Sequence, residues 1–458
     1  MNWNQLLCTE RLRRTRKQPE ESRGEIHRDY GRVVFSTPVR RLQDKAQVFP
    51  LETIDAVRTR LTHSLEVSSV ARGVAQVVAR ELARAGRITA EQAYDIETIA
   101  ATCGLVHDIG NPPFGHAGET AIREWFTNKE DGFWDFDTTS ARRYENDLKN
   151  FDGNAQTLRL LATLQILSDR TGLNLTFATL SALLKYTANS GEIARNTVVK
   201  KKLGFFTSEE WLVKMIWEKT GTGDCRNPIA FLVEASDDMV YSVVDIEDGI
   251  KKRVITWEHV RDILAENKRG FGEKLFSDCV LAAEELIDKA DLHVRNRDEA
   301  VSQYFRTLAI VKGQDAIRKT FLNSHDLMME GTYDKELLYD ESGPGADVAE
   351  FYRVLKEEIN YKHVYNAKET LRLELLGRNV IHFLLDTFWE AERSLRSETF
   401  PQKIYNLLSQ NYRTVFENPR PEELGLPEIY RKLLLVTDYI CGMTDSFALN
   451  LRRELLHG

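Results

Sequence analysis

Residues 104–119 read GLVHDIGNPPFGHAGE, and the rest of the chain takes its meaning from this stretch. His107 and Asp108 stand side by side at the end of an apolar run. Gly110, Asn111, Pro112 and Pro113 then break the chain, and His116 and Glu119 open the next segment. An imidazole nitrogen beside a carboxylate oxygen is a mixed ligand pair for a divalent transition ion. The dipeptide alone says little, because His325 and Asp326 repeat it. What distinguishes the first copy is its setting.

Upstream, residues 59–85 have a helical pattern. His63, Val67, Val70, Val74 and Val77 recur at steps of four and three, which puts His63 on a buried stripe. Arg60 and Glu66 flank it on adjacent turns. Gly86 is a C-terminal stop signal, and Thr89 with Gln92 makes a capping-box start for the next helix. Along that helix Ile99, Cys103 and His107 fall at steps of four, so His107 also looks inward. A single inward histidine is ordinarily a hydrogen-bonded core residue. Two on successive helices, the second followed at once by Asp, point to a metal.

Downstream, residues 128–153 are polar and aperiodic and read as a loop ending in DGNAQ. Residues 155–185 read as helical, and an irregular segment with Lys200, Lys201 and Lys202 comes after them. Those lysines are either an exposed cluster or, near a divalent site, a mark of a phosphate-rich ligand. The stretch NPIAFLVEASDDMVYSVVDIEDGI, residues 227–250, reads as a helix with Pro228 in its first turn. Asp237, Tyr241 and Asp245 form one polar stripe on it at spacing i, i+4, i+8. Its acids lie among apolar residues, and buried carboxylates must be paired or bind metal. From about residue 291 the pattern stays helical, interrupted by a loop, DESGPGADV, at residues 340–348.

Glycine and proline together number 37 of 458 residues, about 8%, with 29% charged residues; an average chain has about 12% Gly plus Pro. This favours an all-α protein. The net charge of −8 argues against a general nucleic-acid binder, although local basic patches can exist. Arg11, Arg13, Arg14, Arg16 and Lys17 read as a solvated arm, with contact to a polyanion as the alternative. Arg40, Arg41, Lys45 and Gln47 form a second basic stretch that sequence cannot orient. Five widely spaced cysteines without C-x-x-C argue against a disulfide framework and a structural zinc site. No signal core and no run of 18 uncharged apolar residues is present, so a cytoplasmic protein with no membrane contact is expected. The organisation expected is an N-terminal arm over residues 1–35, a core over 36–300 and a helical C-terminal lobe over 301–458.

The order His63, then His107 with Asp108, then an Asp late in a helix resembles the ligand order of HD-domain phosphohydrolases. RRLQDKAQVFPLE, RTRLTHSLEV, HDIGNPPFGHAGE, DGNAQ, LLKYT, KKLGFF, EASDDMVYSVVDIED and DYICGMTD are similar to stretches of the bacterial dGTP triphosphohydrolases within that superfamily. The resemblance implies an HD helical core with an added helical C-terminal lobe. It implies His63, His107, Asp108 and Asp237 as ligands of a divalent metal, Mg²⁺ or Mn²⁺, and His116 with Glu119 as the catalytic pair. Arg60, Lys185 and Lys202 are implied as phosphate contacts, Tyr241, Asp245 and Gln47 as deoxyribose contacts, and Glu374 as a neighbour of guanine. Many HD relatives carry His directly after HDxG; Asn111 here agrees with the dGTP-specific branch, in which the histidine of GHAGE does that work. The implied reaction is water attack at the α-phosphorus of dGTP, giving deoxyguanosine and triphosphate, by a homo-oligomer, with a hexamer favoured. An HD phosphodiesterase or nucleotidase, and a non-catalytic nucleotide sensor, are the competing readings.

Overall fold

The structure is a computed structural model that describes residues 1–13, 23–130, 133–134, 141–165, 171–289, 297–393 and 400–457. The chain is all-α: among the described residues it forms helices and two isolated backbone bridges, and no strand. No helix among them is long and apolar enough to cross a membrane. The chain divides into two compact units, each assembled from separate segments.

The first unit comprises residues 52–104 and 228–372. Its core is a packing of the Arg60–Arg84, Pro228–Lys251 and Arg297–Glu330 helices. The Thr59 hydroxyl caps Arg60–Arg84 by accepting from the Thr62 amide at 3.4 Å. Its buried face runs through His63, Val67, Ala71, Val74, Ala75, Val78 and Leu82. The expected stripe therefore drifts: Val77 is exposed and Val70 only half-buried. Steps averaging 3.5 residues leave a straight helix of 3.6 residues per turn, so Ala71, Val78 and Leu82 take those places. Gly86 comes next in the left-handed region, and Arg87 donates back to the Leu82 carbonyl at 2.9 Å. The Thr89–Gln92 box closes reciprocally at 2.9 and 3.1 Å and starts the Ala90–Val106 helix. The Ser68 hydroxyl ties that helix to the Arg60–Arg84 helix through the Ala101 carbonyl at 2.7 Å.

The second unit comprises residues 1–51, 105–227 and 373–458. Here the structure departs from the expectations in three places. Residues 141–149, expected as loop, form the Ala141–Lys149 helix, which packs on Gly115–Thr127. The helix expected over residues 155–185 is broken. Gly153–Arg159 passes into a π-helical turn, Leu160–Leu164, and helix resumes at Phe177–Leu183. Between them the Leu173 amide bonds the Leu161 carbonyl at 2.8 Å, and Gly172 and Asn174 both take positive φ. Arg11 is no solvated arm residue: its guanidinium is buried against Asp29 at 2.6 Å and Glu25 at 2.8 Å. Arg14, Arg16 and Lys17 lie outside the described residues. In the other unit, the loop at 340–348 gives way to helix at Ala346.

Motifs far apart in sequence interlock in this unit. Arg159 is fully buried and holds Asp438 with two nitrogens, at 2.8 and 2.7 Å, and Glu209 at 2.8 Å. Gln156 adds a bond to Asp438 at 2.9 Å. DGNAQ and DYICGMTD are thereby fastened to each other.

Candidate active site

After Val106 the helix ends in a tight turn, with Ile109 donating to the Val106 carbonyl and Asn111 to the Asp108 carbonyl, each at 3.2 Å. His107 Nε2 lies 3.5 Å from Asp108 Oδ2, and the Asn111 amide group donates to Asp108 Oδ1 at 2.8 Å. Gly110 must be glycine. A Cβ there would run into the Gly153 carbonyl and the Thr157 amide, and its own amide donates to Thr157 Oγ1 at 3.1 Å. Lys45, left unoriented by the sequence, is buried and donates to the carbonyls of Asn111 at 2.5 Å and Cys441 at 2.7 Å. Phe114 sits at φ +64° before the Gly115–Thr127 helix, its amide held by Asp445 Oδ1 at 2.9 Å. A strained backbone at this spot is sustained because its surroundings over-determine it.

That turn delivers His116 and Glu119. The His116 side chain is 82% exposed, whereas Glu119 is buried, and Nδ1 lies 3.3 Å from Oε2. Glu119 Oε1 accepts from the Gly153 amide at 2.7 Å. Burial alone would push the Glu119 carboxyl up; the His116 bond and the charges of Lys202 and Arg123 bring it well below its ordinary value. Beside it, burial and the Glu119 charge push the buried Asp152 carboxyl up, against the pull of Lys202 at 3.5 Å. Glu119 therefore stays ionised behind an exposed imidazole.

Lys202 belongs to a wider cationic group. Lys185, Lys201, Lys202 and the Arg226 guanidinium lie 5.9, 5.9, 6.0 and 5.8 Å from the centre of the buried Tyr186 ring. Gly204 makes this possible: a side chain there would collide with the Tyr186 carbonyl, and its amide bonds the Ala188 carbonyl at 2.9 Å. Four cations thus gather about one aromatic ring. Gln47 and Glu374 are half-buried. Burial pushes the Glu374 carboxyl up while the His116 charge opposes it, so Glu374 stands within electrostatic reach of His116.

The other unit holds the remaining candidates. His63 is fully buried, with Nε2 3.0 Å from Asp237 Oδ1. Arg60, buried too, lies three residues before His63 on the same helix. Along Pro228–Lys251, burial and then neighbouring acids and tyrosines push the Tyr241 phenol well up. Burial lifts the Asp245 carboxyl to about 8, although the Tyr365 hydroxyl donates to its Oδ2 at 2.6 Å. Tyr365 was not singled out from sequence; it lies 120 residues beyond Asp245, and no spacing signal links the two. Arg58, which the sequence reading did not single out, holds Glu66, Asp248 and Glu247 at 2.8, 2.7 and 3.1 Å. Arg226 and Tyr186 escaped notice as well, although Tyr186 lies inside the LLKYT stretch.

The second His-Asp dipeptide is accounted for without a metal. Arg87 bonds His325 Nδ1 at 2.9 Å and pairs with Asp326. A guanidinium occupies that pair.

The His63 and Asp237 donors suit a divalent ion. Ligands about 2.1 Å from an octahedral ion and at right angles to each other lie about 3 Å apart, the separation of His63 Nε2 from Asp237 Oδ1. Imidazole and carboxylate donors without a thiolate suit Mn²⁺, Mg²⁺ or a neighbouring divalent ion.

Residues 60–150 match the family model of the HD domain, and residues 345–454 that of the phosphohydrolase-associated domain. The chain is 36% identical to a deoxyguanosinetriphosphate triphosphohydrolase-like protein of Listeria monocytogenes, over 99% of both chains. It is 32% identical to proteins named deoxyguanosinetriphosphate triphosphohydrolase from Serratia proteamaculans and Yersinia enterocolitica, over 93% of each chain. With the HD-domain match spanning both histidines, Asp108 and the His116–Glu119 pair, and with similarity along nearly its full length, the chain belongs to the deoxyguanosinetriphosphate triphosphohydrolase family of HD-domain enzymes.

Proposed function

We propose that this protein hydrolyses dGTP at the α-phosphorus, releasing deoxyguanosine and inorganic triphosphate. The observation that carries the reading is the exposed His116 imidazole backed by the buried, ionised Glu119. His63, His107, Asp108 and Asp237 would hold one divalent ion, Mg²⁺ or Mn²⁺. Such an ion, when bound, withdraws charge from the phosphoryl oxygens and acidifies water.

The chain's own groups do the rest. Glu119 fixes the ring of His116 and favours its cation, so that His116 carries the proton between the attacking water and the departing 5′-oxygen. General acid–base help of this kind contributes about 10²–10⁴-fold. Arg60, Lys185 and Lys202 meet the phosphates. The cationic group around Tyr186 supports a triphosphate rather than a monophosphate, because one phosphate needs fewer positive charges. Tyr241, Asp245 and Gln47 border the deoxyribose, and Glu374 lies towards the guanine. The protein acts as a cytoplasmic homo-oligomer, with a hexamer favoured; light scattering should give a mass near six times the 52.6 kDa of the chain.

The deciding experiment incubates the protein with dGTP, GTP or AMP and either Mg²⁺ or Mn²⁺. Triphosphate from dGTP is the expected product. Orthophosphate alone would indicate a nucleotidase, and bound but unconverted nucleotide a sensor. His116→Ala should retain metal and nucleotide while turnover falls by roughly two to four orders of magnitude. Turnover within about threefold of wild type would make His116 structural.

A further inference from the structure

Outside the residues assigned to the candidate site, two histidines on packed elements meet ring edge to ring face. His259 lies in the first turn of the Trp257–Phe271 helix, where its amide donates to Thr256 at 3.3 Å. His363 lies near the end of the π-helical segment Val354–Tyr365, which packs on that helix. The ring centres are 4.5 Å apart with planes at 64°. His259 is exposed and His363 half-buried, so an ion can reach the pair from solvent.

We propose that His259 and His363 form a second metal site, which takes a transition ion of the Zn²⁺ class through one nitrogen of each ring, with water completing its coordination.

The geometry is close to what such an ion requires. Two imidazoles bound at about 2.0–2.1 Å to one tetrahedral ion place their ring centres about 5 Å apart. The observed 4.5 Å is within an ångström of that separation. The charge state suits it too. Burial, then the charges of His259 and Lys362, push the His363 imidazole down, while Glu358 opposes them. Neutral imidazole is the form that ligates a metal. Lys362 is itself paired with Glu358.

The donor chemistry separates this site from the candidate active site. Imidazoles without a carboxylate favour Zn²⁺, Ni²⁺ or Cu²⁺ and have little affinity for Mg²⁺. Excess Mg²⁺ therefore leaves the pair open to Zn²⁺. The proposal does not rest on the assigned reaction.

The test titrates Zn²⁺ into the full-length protein in excess Mg²⁺, in competition with a chromophoric chelator. Wild type should take up a Zn²⁺ equivalent that His259→Ala and His363→Ala both lose. The thermal midpoint and far-ultraviolet dichroism of His259→Ala should match wild type. His107→Ala, altered only at the candidate active site, should keep that equivalent. Identical Zn²⁺ stoichiometry and affinity in wild type and His259→Ala would overturn the proposal. His259 is exposed, so its replacement leaves the fold intact even where His363→Ala does not.

Discussion

Arg58 shows how a single side chain can hold a site without belonging to it. Its guanidinium meets Glu66, Glu247 and Asp248, and its own amide donates to Asp248 at 3.1 Å. Glu247 and Asp248 are buried at the end of the helix that carries Asp237 and Asp245. Removing one partner of a buried charge group leaves uncompensated charge, at a cost of about 3–5 kcal/mol. Arg306 and Lys251 still reach Glu247, which places Arg58→Ala at the low end of that range. Urea unfolding should show this loss, whereas Arg87→Ala, which breaks an exposed pair, should leave the midpoint where it was. Equal midpoints for Arg58→Ala and wild type would mean that solvent already screens the group. Sequence reading pointed to Arg60, one of two arginines in RTRLTHSLEV. The two differ in what they meet across the fold, and nothing local to the chain records that. The same limit applies to the second His-Asp dipeptide: nothing in its local sequence shows that Arg87 packs against it.

Among the helices, what the sequence could convey was local chemistry. Thr59, the Thr89–Gln92 box and Pro228 mark helix starts, and each governs backbone within four residues of itself, so these starts were legible. The Ala141–Lys149 helix was not. Its sequence, ARRYENDLK, is mostly charged and polar, and its stability comes from packing on Gly115–Thr127. The break after Leu164 escaped for the opposite reason: its apolar run satisfies a helical period, while Gly172 and Asn174 decide the backbone. The Asp237–Tyr241–Asp245 stripe was legible as a pattern, and Tyr365, its partner from another element, was not.

Two predictions concern single helices. A ring packed against C2′ of a deoxyribose leaves no room for a 2′-hydroxyl, and overpacking strain is about 1–3 kcal/mol. Tyr241→Ala should therefore narrow the kcat/KM ratio of dGTP over GTP by roughly tenfold, while Asp245→Ala weakens both substrates. An unchanged ratio in Tyr241→Ala would move the sugar to another element. The second concerns pH. On the Ala90–Val106 helix, burial and then Glu91, one turn away, push the Asp95 carboxyl from 3.8 up to about 6. The folded value is the higher one, so the native chain binds more protons between about pH 4 and 6. This residue's contribution to stability accordingly falls as pH rises through that window. Asp95→Asn should raise the thermal midpoint more at pH 7 than at pH 4, and a midpoint lowered at pH 7 would contradict the assignment.

Over the full chain, each unit is assembled from segments separated in sequence by long stretches of the other unit. Reading along the sequence cannot supply that grouping; it offers candidate ligands one distinctive local stretch at a time. A ligand that binds only the native chain stabilises all of it, by about 2.7 kcal/mol at a hundredfold excess over Kd. For a chain of 458 residues the unfolding entropy is about 1 kcal/mol/K near the midpoint, so the expected rise in Tm is about 3 °C. Mn²⁺ added to chelator-treated protein should produce that rise in wild type. Asp237→Ala and His107→Ala should lose it together with activity, since each removes a proposed ligand. His116→Ala should keep the full rise while turnover collapses, because its imidazole is assigned to the proton and not to the ion. Loss of the rise in His116→Ala would merge the two roles and place that ring among the ligands. A rise that survives in Asp237→Ala would mean that the ion is held elsewhere, and the assignment of His63, His107, Asp108 and Asp237 would have to be given up.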